Sequence, residues 1–203
     1  MFWQITSFPK CEYHVFLSHC QEDRDVLVRP LYDRLVAGGV APWLDQEDYY
    51  YGRDSRTALR DGMMRSRHIV FFVTDAMLST ARGWCVVELA LAEIAELSFR
   101  VPGGQLAHLL LPLFLVPQAD LRLPRTVWQA VRDRGRFHDP AIDGDAGVWC
   151  EREVREFLTR EQGLSRDMAR LAAKDPPFAA RLKMTHGLFD RVTRFHPKRL
   201  PPG

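Results

Sequence analysis

Short apolar runs alternate with amphipathic stretches along the first 160 or so residues of the chain. The runs YHVFLS (Tyr13–Ser18) and 40–44 predict two strands, since both are rich in β-branched and aromatic residues. HIVFFVT (68–74) is apolar on both faces, which is typical of a central strand in a parallel sheet. Residues 108–116 predict a fourth strand, and residues 135–138 a weak fifth one.

Helical patterns separate these strands. Residues 22–37 place three leucines on one helical stripe, namely Leu27, Leu31 and Leu35. Pro30 lies inside this stretch and either kinks the helix or marks its true start. Gly38 and Gly39 then end the helix in the manner of a C-cap.

Three further helices complete the alternation. One is capped by Asp54 or Ser55 and runs to about Arg65, the second covers 79–96, and the last covers 148–159. Between the last two strands, residues 121–131 predict a loop with a short helix. Five strands that alternate with helices predict a doubly wound parallel α/β sheet. Ligands of such sheets bind beyond the carboxyl ends of the strands.

The stretch 79–96 (STARGWCVVELALAEIAE) is nearly continuous apolar sequence and predicts a mostly buried helix. Glu88 is the first charged residue of the apolar run that follows Gly83, and Trp84 lies four residues earlier on the same face. Burial of a carboxylate is costly unless the group is paired or faces a cleft. Glu88 therefore either lines a site or simply favours the helix N-terminus through the macrodipole.

Composition narrows the class of protein. The 203 residues are 46% hydrophobic, with a formal charge of +2, too small to indicate nucleic acid binding. The four cysteines show neither CxxC pairing nor zinc-like spacing, so we expect reduced thiols and no metal. The first ten residues have no basic n-region and no long apolar core, so we expect no signal peptide, and the longest apolar run is too short to span a bilayer. We expect a cytoplasmic protein.

The loop QEDYYYGR (46–53) follows the second predicted strand and carries Tyr49, Tyr50, Tyr51 and Gly52. Tyrosine offers a large contact area at low entropic cost, which favours an interface. The alternative is a solvated turn whose tyrosines fold back on the body of the domain.

Three motifs at strand ends resemble those of TIR (Toll/interleukin-1 receptor-like) domains, bacterial forms above all. They are FLSHCQED after the first strand, PWLDQED after the second, and WCVVEL after the third. The resemblance covers residues 12–163 and implies a flavodoxin-like sheet of order 2-1-3-4-5. We accordingly divide the chain into a TIR domain, 1–163, and a C-terminal extension, 164–203.

In enzymatic TIR domains the glutamate of this last motif is the catalytic residue of an NAD glycohydrolase, which implies that Glu88 is catalytic. NAD+ would be a substrate, with no cofactor. The implied substrate-binding residues lie at the same edge of the sheet: Phe16, Leu17, Ser18, His19, Trp43, Asp45 and Trp84. For Trp43 packing is the simpler interpretation, and Trp84 either fills the sheet edge or holds the adenine end of NAD+.

The resemblance also implies self-association through TIR–TIR contacts, a role in anti-phage defence, and a separate effector that senses the product. A phosphoacceptor receiver domain is excluded, because the first strand ends in Ser18 rather than aspartate. Two alternatives stay open: a non-catalytic adaptor, and an enzyme resembling nucleoside deoxyribosyltransferases. Enzymatic TIR domains retain the glutamate that many animal adaptors lack.

The extension 164–203 carries nine basic and three acidic residues, a net charge of +6. Its apolar positions recur at spacings of three and four, which predicts a basic amphipathic helix. We expect this helix to pack on the acidic body or on a second subunit rather than on a membrane or nucleic acid.

Overall fold

The computed structural model describes residues 12–45, 55–79, 88–89, 92, 110–117, 131 and 134–161. The strands are β1 (Tyr13–Ser18), β2 (Pro42–Trp43), β3 (Ser66–Val73), β4 (Leu110–Phe114) and β5 (Arg136–Phe137). The α-helices are α1 (Arg29–Ala37), α2 (Ser55–Arg65), α3 (Asp75–Ser79), α4 (Pro140–Asp143) and α5 (Ala146–Glu161). Glu88, Leu89 and Ala92 are also helical, between β3 and β4.

The strands form one parallel sheet of order β2-β1-β3-β4-β5, which confirms the predicted fold class and strand order. β1 lies beside β3, with Ser18 opposite Phe71. β3 is buried at all but one of its eight positions, as expected of a central strand. Since parallel strands end at the same edge, this sheet gathers the residues that follow β1, β2 and β3.

Two apolar layers cover the sheet. Val15, Leu17, Val70 and Phe72 face a cluster that includes residues of α1 and α5. Phe16, Ile69 and Phe71 face the opposite cluster, which contains Leu89 and Ala92. The helix that carries Glu88 therefore packs on the Phe16 face.

Pro30 marks the true start of α1, one of the two outcomes predicted for it. A 3-10 turn (Gln21–Asp23) and one π-helical turn (Arg24–Val28) precede α1, and Pro30 lies in its first turn, where no intrahelical donor is required. The helix ends as predicted, because the Gly38 N–H donates to the Arg34 and Leu35 carbonyls and Gly39 adopts a φ of +79°.

β2 is shorter than the predicted 40–44. The Val40 N–H donates to the Leu35 carbonyl of α1 (2.9 Å), and the Ala41 N–H donates to Nδ1 of His14 (2.8 Å). Pro42 has no N–H to give. Hydrogen bonding outside the ladder thus leaves only two residues in the strand.

The last helix is longer than the predicted 148–159. Asp145 accepts a hydrogen bond from the Val148 N–H (2.9 Å), so its carboxylate caps the helix that begins at Ala146. Val154 and Phe157 are buried and Leu158 is partly buried, as their spacing predicts.

Several predictions concern positions outside the described residues. These are Trp84, Tyr49, Tyr50, Tyr51, Gly52 and the extension 164–203. Within the described ranges, no helix is long and apolar enough to cross a membrane. The same ranges hold no cluster of three or more His, Cys, Asp or Glu side chains suited to a metal, and Cys20 and Cys150 form no disulfide.

Candidate functional site

The carboxylate of Glu88 meets the end of β1. The Ser18 hydroxyl donates a hydrogen bond to Oε2 of Glu88, across 70 residues of sequence. Glu88 is 5% exposed and Ser18 is 1% exposed. The sequence motif predicted a glutamate near this edge, and the sheet brings it into contact with the last residue of the first strand.

Burial dominates the electrostatics of Glu88. It raises the pKa of the carboxyl group from 4.5 to about 7, because the charged form loses its hydration. The Ser18 hydrogen bond opposes this rise, whereas the nearby Asp45 and Cys20 add to it. Such a carboxyl group is partly ionised at neutral pH, which is unusual for a glutamate and typical of functional sites.

A second group of charges lies beside this carboxylate. Nδ1 of His19 donates to the Leu17 carbonyl (3.0 Å), and Nε2 lies 3.9 Å from Oδ1 of Asp45. The Arg24 guanidinium donates to Oδ2 of the same Asp45 at 2.8 Å. Burial lowers the pKa of His19, so the imidazole is held neutral despite the neighbouring carboxylate. Through His19 and Arg24, Asp45 thus connects the segment after β2 to the segment after β1.

Asp23 and Thr74 also lie at the carboxyl edge of the sheet, although the sequence analysis did not predict them as site residues. Oγ1 of Thr74 donates to the Asp23 carboxylate (2.5 Å) and accepts the Met77 N–H (3.1 Å), which caps α3. Burial raises the pKa of Asp23, and the Thr74 hydrogen bond counters that rise. The sequence does contain a signal for Thr74, since a threonine directly before a short helix is a common N-cap.

Among the aromatic and apolar residues predicted to bind substrate, those that the structure describes, Phe16, Leu17 and Trp43, are packed into the core. Phe16 and Trp43 are stacked with ring centroids 4.6 Å apart, and the indole covers Gly62 of α2. This agrees with the packing interpretation of Trp43. The side chain of Leu17 belongs to the opposite core layer, and its carbonyl contacts His19.

Ser18, His19, Asp45 and Glu88 are therefore brought together by the fold. Around them the described residues supply three carboxylates, Asp23, Asp45 and Glu88, against one permanent cation, Arg24. When it is ionised, the buried Glu88 carboxylate stabilises positive charge that develops on a bound molecule, since the group is already in place.

An open parallel sheet of order 2-1-3-4-5 with a polar site at its carboxyl edge is a flavodoxin-like α/β domain. The family model described as TIR domain matches residues 15–177. This chain belongs to the TIR domain family. The match runs past residue 163, so the boundary of the C-terminal extension stays a prediction.

Curated relatives share part of the chain. It is 31% identical over 77 residues to the NAD(+) hydrolase TcpC of Escherichia coli O6:H1 strain CFT073, covering 38% of this chain and 24% of the relative. It is 33% identical over 57 residues to the NAD(+) hydrolase TcpA of a Theionarchaea archaeon, covering 28% and 17%. The matched segments thus span a quarter or less of these relatives.

The chain is also similar to two solved structures that are described as TIR domains. One is that of the Toll-related receptor TRR-2 from Hydra magnipapillata, with 16% identity, a TM-score of 0.46, and coverage of 74% of this chain and 95% of that one. Another comprises the TIR domains of the activated Roq1 resistosome, with 21% identity, a TM-score of 0.46, and coverage of 89% and 99%.

Proposed function

We propose that this chain cleaves the bond between nicotinamide and ribose in NAD+, with Glu88 as the catalytic residue. The observation that carries the proposal is the buried Glu88 carboxylate at the carboxyl edge of the sheet, held by a hydrogen bond from Ser18 and close enough to Asp45 to feel its charge. The names of the two partial relatives, both NAD(+) hydrolases, agree with it.

The chemistry suits a single carboxylate. As the C1′–N bond breaks, its electron pair moves to the nicotinamide nitrogen, and the base leaves neutral without needing a general acid. Positive charge develops on the ribose, where an ionised Glu88 stabilises it electrostatically. A nucleophile then bonds to C1′ and one proton is released to solvent: water loses its own proton and gives linear ADP-ribose, and a hydroxyl or the base of the same molecule gives a cyclic product.

The biological setting follows from this proposal. The product serves as a signal for a separate effector in anti-phage defence, or NAD+ depletion is itself the response. Self-association through the loop with Tyr49, Tyr50 and Tyr51 completes the site, and Trp84 selects between cyclic and linear product.

The test is incubation of the purified chain with NAD+ and mass spectrometry of the products. We expect release of nicotinamide by the natural chain and a loss of at least about a hundredfold in Glu88→Gln, which keeps the shape and removes the charge. Glu156→Gln makes the same chemical change on an exposed residue of α5 and should retain full activity. An active, folded Glu88→Gln variant would exclude this assignment.

The adaptor alternative makes the opposite prediction. A non-catalytic TIR domain would release no nicotinamide at any protein concentration, yet it would still associate with copies of itself. Sedimentation of the natural chain over the concentration range of the assay therefore separates an inactive adaptor from an enzyme that has not assembled.

A further inference from the structure

Ser18 is placed to act on Glu88 rather than on a ligand. It is the last residue of β1, in parallel register with Phe71 of β3, so pairing with β3 fixes its backbone. Strand alternation puts its side chain on the Phe16 face, against which Leu89 and Ala92 of the Glu88 helix pack. With 1% of its surface exposed, Ser18 offers little contact to a bound molecule.

The hydrogen bond between Ser18 and Glu88 joins the end of β1 to the helical segment between β3 and β4. The Ser18 hydroxyl donates to Oε2 of Glu88, and both side chains are buried. A hydroxyl that donates to a carboxylate oxygen restricts the rotation of the carboxyl group. It also favours the ionised form over the protonated form, because only the ionised oxygen accepts strongly.

We propose that Ser18 is a positioning residue: its hydroxyl holds Oε2 of Glu88 so that Oε1 is presented to the ribose of the substrate. This role rests on the proposed function. It differs from direct substrate binding, the role that the TIR resemblance implied for Ser18. The groups whose charge acts on the Glu88 carboxyl are Asp45, after β2, and Cys20, after β1, and neither is altered by a change at Ser18.

The experiment combines kinetics with a measurement that needs no substrate. Glutamate side-chain carboxyl resonances of the 13C-labelled chain are titrated by NMR, and the Glu88→Gln variant identifies the Glu88 signal. Ser18→Ala should raise the Glu88 titration midpoint by about one pH unit, since a bond to the charged form is lost. At neutral pH kcat should fall about tenfold or more while KM changes less than about threefold.

Two variants complete the design. Ser18→Thr retains a hydroxyl and should restore most of both the midpoint and kcat. Ser66→Ala also removes a buried serine hydroxyl, which donates to the Gly62 carbonyl (2.8 Å) at the opposite end of the sheet. It should leave both readouts at their natural values. If the Ser18→Ala chain does not fold, Ser18→Cys, a weaker donor of similar size, should give intermediate changes.

A natural midpoint in folded Ser18→Ala would overturn the proposal, and so would a rise in KM with unchanged kcat, which would make Ser18 a direct substrate contact. If the natural chain releases no nicotinamide, the proposed function fails. The NMR titration then decides separately whether Ser18 holds the Glu88 carboxylate.

Discussion

The Thr74 hydroxyl donates a hydrogen bond of 2.5 Å to the Asp23 carboxylate, and this contact ties the end of β3 to the turn after β1. Both residues are at least 91% buried. The same hydroxyl accepts the Met77 N–H, so one side chain both caps α3 and holds the Asp23 carboxylate near His19.

Thr74→Val should destabilise the domain. The change keeps the side-chain shape but leaves Asp23 without this donor and the Met77 N–H without its cap, at a cost of about 1–3 kcal/mol. Urea unfolding measures the difference. Thr159→Val removes an exposed hydroxyl that donates to the Arg155 carbonyl in α5, and we expect it to change stability by less than about 0.5 kcal/mol. Equal effects of the two variants would contradict a special role for Thr74.

Glu88→Gln should stabilise the folded chain at alkaline pH. The unfolded chain releases the Glu88 proton near pH 4.5, whereas the folded chain holds it up to about pH 7. Unfolding therefore releases a proton between these values, and stability falls as the pH rises through this window. The neutral glutamine lacks this cost, which above pH 7 is on the order of 3 kcal/mol.

Urea unfolding of the natural chain and Glu88→Gln at about pH 5 and about pH 8 measures this difference. The advantage of the variant should be small at the lower pH and near its full size at the higher one. Glu156→Gln reports the effect of the same substitution on the surface. An advantage of equal size at both pH values would show that burial does not shift the Glu88 titration.

The rate of NAD+ cleavage should rise with pH. If the ionised Glu88 is required, kcat/KM of the unliganded chain should increase to a plateau with a midpoint near pH 7, the pKa of the buried carboxyl group. Glu88→Gln measured at each pH supplies the background, since NAD+ also decomposes in alkali. A midpoint near the ordinary glutamate value would mean that Glu88 ionises in a more hydrated site than the structure shows.

Gly62→Ala should destabilise the domain although alanine favours helices. A Cβ at this position in α2 would lie 2.3 Å from Cε2 of Trp43, whose indole is buried and stacked on Phe16. Overpacking of this kind costs about 1–3 kcal/mol, more than the gain in helix propensity of about 1 kcal/mol.

Gly147→Ala is the matched control in α5. Its Cβ would approach the end of the Arg34 side chain, which is flexible enough to move aside. We expect Gly147→Ala to be neutral or stabilising in urea unfolding. If Gly62→Ala were equally harmless, the Trp43 indole would be less tightly packed than the Phe16 stack indicates.

Hydrophobic periodicity determined the order of the five strands and the helices α1, α2 and α5, whereas the short helices α3 and α4 were not predicted. Runs such as HIVFFVT are apolar on both faces. This pattern is local, so it can be recognised without knowing which strands or helices pack against the run. Pro30 and Gly39 act on their own backbone, which is why the end of α1 could be predicted and its start was one of two alternatives. The motif at Glu88 indicated the edge of the sheet at which to look for a site.

Only the tertiary structure decided what each polar residue contacts. The donor for Glu88 is 70 residues away, and the donor for Asp23 is 51 residues away, so no local pattern encodes either pair. The length of β2 was settled in the same way, because the His14 side chain takes the Ala41 N–H. Burial acts likewise: the pKa of Glu88 rises because packed neighbours exclude water, a property of the assembled sheet rather than of any single stretch of sequence.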